Sequence, residues 1–263
     1  MHPFEYLRPR DLAAAVGESA TGNYLAGGMT LLPSMKLRLT SPDKLIDLSG
    51  LKDLTGIQAE SAAVVIGAMT RHAEVAASAE VRRLIPALAE LAGGIGDPLV
   101  RNRGTLGGSL ANNDPAADYP GALLALGGTV VTDRRDIAGD DFITGMFSTA
   151  LEPGELIVRV KFPVARRAAY VKFPSPASRY AMVGVFVAET AAGVRVAVTG
   201  AAACAFRLTA FEDALQKSFA VESLAGLTVS GDGYNQDLHG SADYRASLVP
   251  VMAKRAVAAA LAR

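Results

Sequence analysis

Two glycine-rich loops restrict what this chain can fold into more than any other feature of it. The apolar segment YLA runs directly into AGGMTLLP at 26–33, and a second loop reads RNRGTLGGSLAN at 101–112. Glycine carries no Cβ, so paired glycines leave neighbouring backbone N–H groups free to converge on an anion. In the first loop the candidates are Ala26, Gly27, Gly28, Met29 and Thr30. In the second they are Thr105, Leu106, Gly107, Gly108 and Ser109, with hydroxyls at 105 and 109 able to donate as well. A diphosphate suits such a nest, and two nests suit one extended ligand. This reading predicts positive φ at Gly107 and Gly108 and no regular helix through the second cluster. Either loop alone also reads as a tight turn, for which glycine is the default residue. Neither matches GxGxxG between strand and helix, nor GxxxxGK[ST], which disfavours a Rossmann fold and a P-loop.

Composition removes several other classes. Lys plus Arg equals Asp plus Glu at 26 each, so no global positive field exists to bind a phosphate backbone, and nucleic acid is not an expected partner. Cys204 is the single cysteine, which excludes an intrachain disulfide and an iron-sulfur cluster needing four such ligands. His2, His72 and His239 are scattered without metal-ligand spacing, so no metal is expected. No apolar run is long enough to span a bilayer, and MHPFEYLRPRDL lacks the apolar stretch of an export signal. The expected compartment is the cytoplasm. No catalytic triad is visible, and no catalytic residue is assigned.

The 263 residues exceed an average domain of roughly 100–200, so two packed domains are expected. Helices are expected at 11–18, in LLPSMKLRL, over 70–91 with a break at Pro86, at 120–126, in LTAFEDALQ, and from a Ser241 cap onward. Strands are expected in NYLA, KLIDLS, AVVIGA, TVVT, ELIVRVKFP and AAYVKF. YAMVGVFVAE and GVRVAVTGA, separated by TAAG, read as an antiparallel hairpin. Pro163 and the basic stretch after it mark a boundary at 163–167.

The segments YLAGGMTLLPSMKLRLTSPDKLIDLSGL and IGDPLVRNRGTLGGSLANNDPAADYPGALLALGG resemble the two FAD-binding signatures of the medium, flavin-binding subunits of molybdenum hydroxylases, the carbon monoxide dehydrogenase / xanthine dehydrogenase family. The resemblance extends to EPGELIVRVKFP and SADYRASLVPVMAKRAVAAAL. It implies an α+β fold with a two-subdomain FAD-binding domain of the vanillyl-alcohol-oxidase/PCMH type over 1–165, split near 57. A smaller antiparallel sheet-plus-helix domain follows over 166–263. It further implies that the first loop, with Leu31 beside it, wraps the pyrophosphate of a non-covalent FAD, and that the second approaches the phosphates and ribityl chain. Asp118 matches an acceptor for cofactor hydrogen bonds, Ile95 and Ile157 match apolar positions flanking the adenine, and Lys172 matches a flavin contact. Molybdopterin and 2Fe-2S clusters are implied on a large and a small partner subunit, two copies of each subunit. Electrons leave to a quinone, NAD or oxygen.

Each of these residues also has a plainer reading: Asp118 as a helix N-cap, Lys172 as a solvated strand lysine, Ile95 and Ile157 as ordinary core. Arg101 and Arg103 are expected to make structural or interface contacts, and His72 to be a surface residue. A self-sufficient flavin oxidase of the same fold is the competing function, and a decayed scaffold without flavin a third. Asp97 and the pair Arg179-Tyr180 depart from the family pattern in segments expected near the flavin ring or the partners.

Overall fold

The computed structural model describes all 263 residues, Met1–Arg263. It opens with three short parallel strands, β1 (Glu5–Leu7), β2 (Asn23–Leu25) and β3 (Lys44–Asp47), in the spatial order β1-β3-β2. Parallel neighbours require crossovers. Helices α1 (Leu12–Gly17) and α2 (Leu31–Lys36) supply them, α1 being capped by Asp11, which accepts from the amide of Ala14. The first glycine loop is the turn from β2 into α2. A small core of Ala15, Ile46, Leu48, Leu51 and Met69 lies under this unit.

The chain then enters a second sheet through β4 (Ile57–Ala59) and β5 (Ala63–Gly67). Six helices follow: α3 (His72–Ala77), α4 (Ala79–Leu84), α5 (Pro86–Gly93), α6 (Pro98–Arg101), α7 (Leu106–Asn112) and α8 (Tyr119–Ala125). Strands β6 (Thr129–Thr132) and β7 (Asp136–Ala138), a single turn α9 (Gly139–Phe142) and the hairpin β8 (Ile143–Gly145) and β9 (Ser148–Thr149) precede β10 (Ile157–Pro163). β10 returns through the middle, giving the antiparallel order β4-β5-β10-β6-β7. The largest core, including Leu88, Leu91, Leu106, Leu123, Val160 and Phe162, joins this sheet to its helices.

The glycine cluster of the second loop does form regular helix, against expectation. Neither Gly107 nor Gly108 has positive φ. Thr105 caps α7 by accepting from the Gly108 amide, and Leu106 and Leu110, one turn apart, bury one face of it. Glycine is required at 107 because a Cβ there would stand 2.6 Å from that of Ala68. Close approach to β5, and not a left-handed backbone, selects it.

Strands β11 (Arg167–Pro174), β12 (Ala181–Thr190), β13 (Gly193–Thr199) and β14 (Phe206–Arg207) make an antiparallel sheet in sequence order, followed by α10 (Thr209–Lys217) and α11 (Ala242–Leu261). Ser241 caps α11, accepting from the amide of Tyr244. The first eight residues of β12 are all buried, because both its faces are covered. Its odd positions, Val183, Val185 and Val187, pack with Val249, Met252 and Val257 of α11. Its even positions, Phe186 and Ala188, join the larger core. Period-two alternation here sorts valines to one side and mixed-size residues to the other.

Arg245, in the first turns of α11, is buried and ties the start of β12 to the residue that follows β13 at one end of this sheet. It donates to the carbonyls of Met182 (2.8 Å) and Gly200 (3.0 Å) and pairs with Asp237 (2.8 Å). Arg245→Met removes the charged donor from both carbonyls, leaving that of Gly200 only the Asn235 side-chain amide at 3.4 Å, and urea unfolding should register a loss of about 2–3 kcal/mol. A change below about 0.5 kcal/mol, the usual range for surface substitutions, would show that solvent replaces the guanidinium at no cost.

Candidate functional site

The two loops meet. Gly27 lies so close to the second loop that a Cβ on it would overlap the carbonyl oxygen of Arg103. Gly28 has φ +73°, a conformation that glycine adopts freely. The result is a run of six consecutive backbone amides, residues 26–31, none of which donates to any acceptor in the protein. Thr30 precedes α2 without a side-chain cap, so no hydroxyl competes for those donors.

The second loop is different. The amide of Leu106 donates to Thr70, that of Gly107 to Ala68, that of Gly108 to the Thr105 hydroxyl and that of Ser109 to the Thr105 carbonyl. Its backbone is therefore a wall and not a second nest, which corrects the expectation of two equivalent cradles. What it offers a ligand is the Ser109 hydroxyl, half-buried and without a partner in the chain. Leu106 is fully buried in the core and presents nothing to the site.

Between the loops opens a cleft of about 850 Å³, at the upper end of the size of sites for small molecules and cofactors. Ala26, Gly27, Gly28, Met29, Thr30, Leu31, Ile95, Thr105, Gly107, Gly108, Ser109, Asp118 and Ile157 all line it. Lys172 does not, but it holds one that does. Its ammonium pairs with the buried carboxylate of Asp118 at 3.0 Å and donates to the carbonyl of Gly94 at 2.9 Å, while Tyr170 donates to Asp118 as well. Asp118 caps nothing. Burial pushes its carboxyl above the usual range, opposed by the Lys172 charge and the Tyr170 hydroxyl.

Arg101 is structural, as expected: its guanidinium donates to the carbonyls of Ile95 and Gly96, each at 3.0 Å, and fixes the stretch that carries Ile95. His72 is not a surface residue. It is 4% exposed, its Nδ1 has no partner, its ring lies 5.4 Å from that of Tyr119, and it lines the cleft behind Gly104. Its burial was hidden because a tertiary neighbour, Tyr119, covers it; the polar TRHAE around it reads as a helix start. Phe147, Arg179 and Tyr180 also line the cleft. Phe147 and Arg179 do so in left-handed backbone, φ +50° and +61°, for which the sequence carries no signal. No group of three or more His, Cys, Asp and Glu side chains converges as a metal site, and no helix is long and apolar enough to cross a membrane.

Two outcomes follow from this geometry. Gly27→Ala should separate the loops and abolish retention of whatever the cleft holds. Gly108→Ala, whose Cβ meets mainly the Thr105 hydroxyl at 2.9 Å, should retain most of it. Equal retention by both, read from the absorbance of the purified proteins, would mean that the loop contact does not shape the site. The second concerns pH. Burial, with the charge of Arg101, draws the His72 pKa from 6.5 down to about 4. The unfolded chain then takes up a proton near pH 6.5 that the folded chain refuses until about 4. This contribution is complete above pH 6.5 and lost as the pH falls towards 4, and amounts to about 3 kcal/mol. In urea titrations at pH 7 and 4.5, His72→Gln should lose stability less steeply than the parent; parallel slopes would exclude a neutral buried imidazole.

A family profile described as "FAD binding domain in molybdopterin dehydrogenase" matches residues 2–165. The carbon monoxide dehydrogenase medium chain of Hydrogenophaga pseudoflava is 36% identical to the chain, over 99% of this chain and 98% of that one. The nicotine 6-hydroxylase medium subunit of Paenarthrobacter nicotinovorans is 36% identical over 91% and 89%. The solved structure of reconstituted CO dehydrogenase from Oligotropha carboxidovorans superposes with a TM-score of 0.91 at 32% identity, covering 100% of both chains.

Proposed function

Because the chain belongs to the family of FAD-binding domains of molybdopterin dehydrogenases, we propose that it is the electron-transfer flavin subunit of a multi-subunit molybdenum hydroxylase. It takes electrons from 2Fe-2S clusters on a small partner and hands them to an external acceptor, while a large molybdopterin subunit oxidises the substrate. The observation that carries this reading is the run of free amides at 26–31 facing the cleft wall of the second loop.

The residues present fit the cofactor. Six donors without acceptors match a diphosphate, and a Cβ at Gly27 would destroy the junction that aims them. Ile95 and Ile157 offer an apolar pair for the adenine, contributing about 1–2 kcal/mol each if covered. Asp118, held in place by Lys172 and Tyr170, presents a carboxylate oxygen to the cofactor's donors, and the Ser109 hydroxyl is a further polar contact. When bound, FAD supplies the conversion of one-electron delivery into two-electron transfer. The protein binds, orients and shields it.

The FAD-binding part is read as the two-subdomain arrangement of the vanillyl-alcohol-oxidase/PCMH type over 1–165, split near 57, with a separate domain over 166–263. In support, the parallel sheet ends before β4 begins at Ile57, β10 ends at Pro163, and the family match ends at 165. The holoenzyme is taken to hold two copies of each subunit and to reduce a quinone, NAD or oxygen. A self-sufficient oxidase is not favoured, because the relatives are named as medium chains or subunits. Two relatives named for carbon monoxide and nicotine share the same 36% identity with this chain. That equality is expected if substrate choice resides in the large subunit.

Co-expression with its partners should give one complex on size exclusion, and acid precipitation of it should leave yellow FAD in the supernatant. Flavin retained in the pellet would point to covalent attachment, with cleft-lining His72 the residue to examine. Substrate oxidation at ordinary enzymatic rates by this chain alone would overturn the subunit reading.

A further inference from the structure

Of the residues that carry a buried side-chain polar atom without a hydrogen-bond partner, Asn113 and Tyr119 among them, only His72 lines the cleft. Buried polar groups are nearly always paired, so an exception in the wall of a ligand cleft points to a partner that the ligand brings. The two ring nitrogens differ. Nδ1 is sealed from solvent, whereas Nε2, which makes no hydrogen bond either, is not sealed and is the nitrogen that the cleft reaches. The ring is neutral at pH 7, because burial and the charge of Arg101 draw its pKa down to about 4. A neutral imidazole carries a single N–H. A buried N–H without an acceptor is a rarer defect in proteins than an acceptor without a donor. The proton therefore belongs on Nε2, where an acceptor can arrive, and the lone pair on the sealed Nδ1.

Position identifies the acceptor. A Cβ on Gly104 would stand 2.6 Å from Nε2, and a Cβ on Gly27 would stand 2.9 Å from the Cα of Gly104. One bare glycine thus separates the imidazole from Gly27, which lies within the run of free amides at 26–31. The backbone amide of His72 donates to the Gly104 carbonyl at 3.0 Å and ties the residue to that glycine. A side chain at 104 would press against Nε2, so the glycine is what leaves this nitrogen open. Six amides and an imidazole N–H at one junction call for one kind of partner, an oxyanion with several acceptor oxygens.

We propose that His72 is a ligand-contact residue whose Nε2–H donates to an oxygen of the cofactor's diphosphate, beside the backbone amides of 26–31. The proposal rests on the flavin-subunit reading and adds to it a side-chain donor that lies outside both glycine loops. It explains why a polar ring occupies a buried place in the cleft wall with neither nitrogen paired inside the protein. The hydrogen bond is made to a charged group, which is the stronger kind, so its loss is measurable in the affinity alone.

The test uses the complex purified with its partner subunits and freed of flavin, and it reads binding and not turnover. Quenching of flavin fluorescence follows FAD. Competition with FAD follows ADP-ribose, which carries the adenine and the diphosphate but no flavin. His72→Leu should weaken both ligands about tenfold, the effect of losing one hydrogen bond to a charged group. His72→Gln, whose amide nitrogen reaches about as far as Nε2 and donates, should stay within about threefold of the parent for both. His72→Asn, whose amide reaches only as far as Nδ1, should behave like the leucine variant. If His72→Leu does not assemble, the Gln and Asn variants decide, and Asn binding as well as Gln overturns the proposal. Equal loss in Leu and Gln also overturns it, since the ring would then serve only to shape the wall. Weaker FAD with unchanged ADP-ribose overturns it too, because Nε2 would then serve the flavin half. A parent complex that binds neither ligand defeats the flavin-subunit reading itself, and this proposal with it. A parent that binds both, with all three variants indistinguishable from it, defeats this proposal alone.

Discussion

The contact of Gly27 with the Arg103 carbonyl is the junction on which the site depends. It joins two structurally unlike units, the short parallel sheet that ends in the first loop and the helices packed on the antiparallel sheet that carry the second. Neither unit encloses a ligand by itself. Brought together they set a line of unsatisfied donors opposite a wall whose own donors are already used, at Thr70, Ala68 and Thr105. This division of labour is physically sensible. A wall with committed hydrogen bonds is rigid, and a nest with free ones is satisfied only when an anion arrives.

How far the sequence can be read follows from which residues determine each feature. The alternation of valines in β12 and β13, the Ser241 cap and the break at Pro86 are local, so pattern and propensity reveal them. Helix α7 is not local. Its glycines disfavour helix by propensity, and the packing of Gly107 on Ala68 overrides that preference. The burial of His72 depends on Tyr119, some 47 residues away in the chain. The same holds for the site. Thirteen of the residues singled out from the loops and the family resemblance line the cleft, while Leu106 turns inward because its neighbour Thr105 caps the helix and sets its rotation. Phe147 and Arg179 left no mark in the sequence pattern, because a left-handed φ in a residue other than glycine is imposed by surrounding hydrogen bonds.

The third sheet reaches the cleft by a route that explains another glycine. Lys172 of β11 is paired in register with Gly184 of β12, and a Cβ at Gly184 would overlap the hydroxyl of Tyr170. Without a side chain at 184, Tyr170 lies across the sheet and donates to Asp118, beside the ammonium of Lys172. Two residues of a C-terminal strand thereby fix the one carboxylate that faces the cleft from the start of α8. A buried ion pair is a weak contributor to stability, since apolar residues of similar volume often do as well or better. Breaking it by removing one partner is costly. An arrangement that adds little to folding, yet holds a single acceptor oxygen rigidly at a cleft wall, is what orientation of a bound cofactor requires, and it makes the antiparallel sheet a working part of the site.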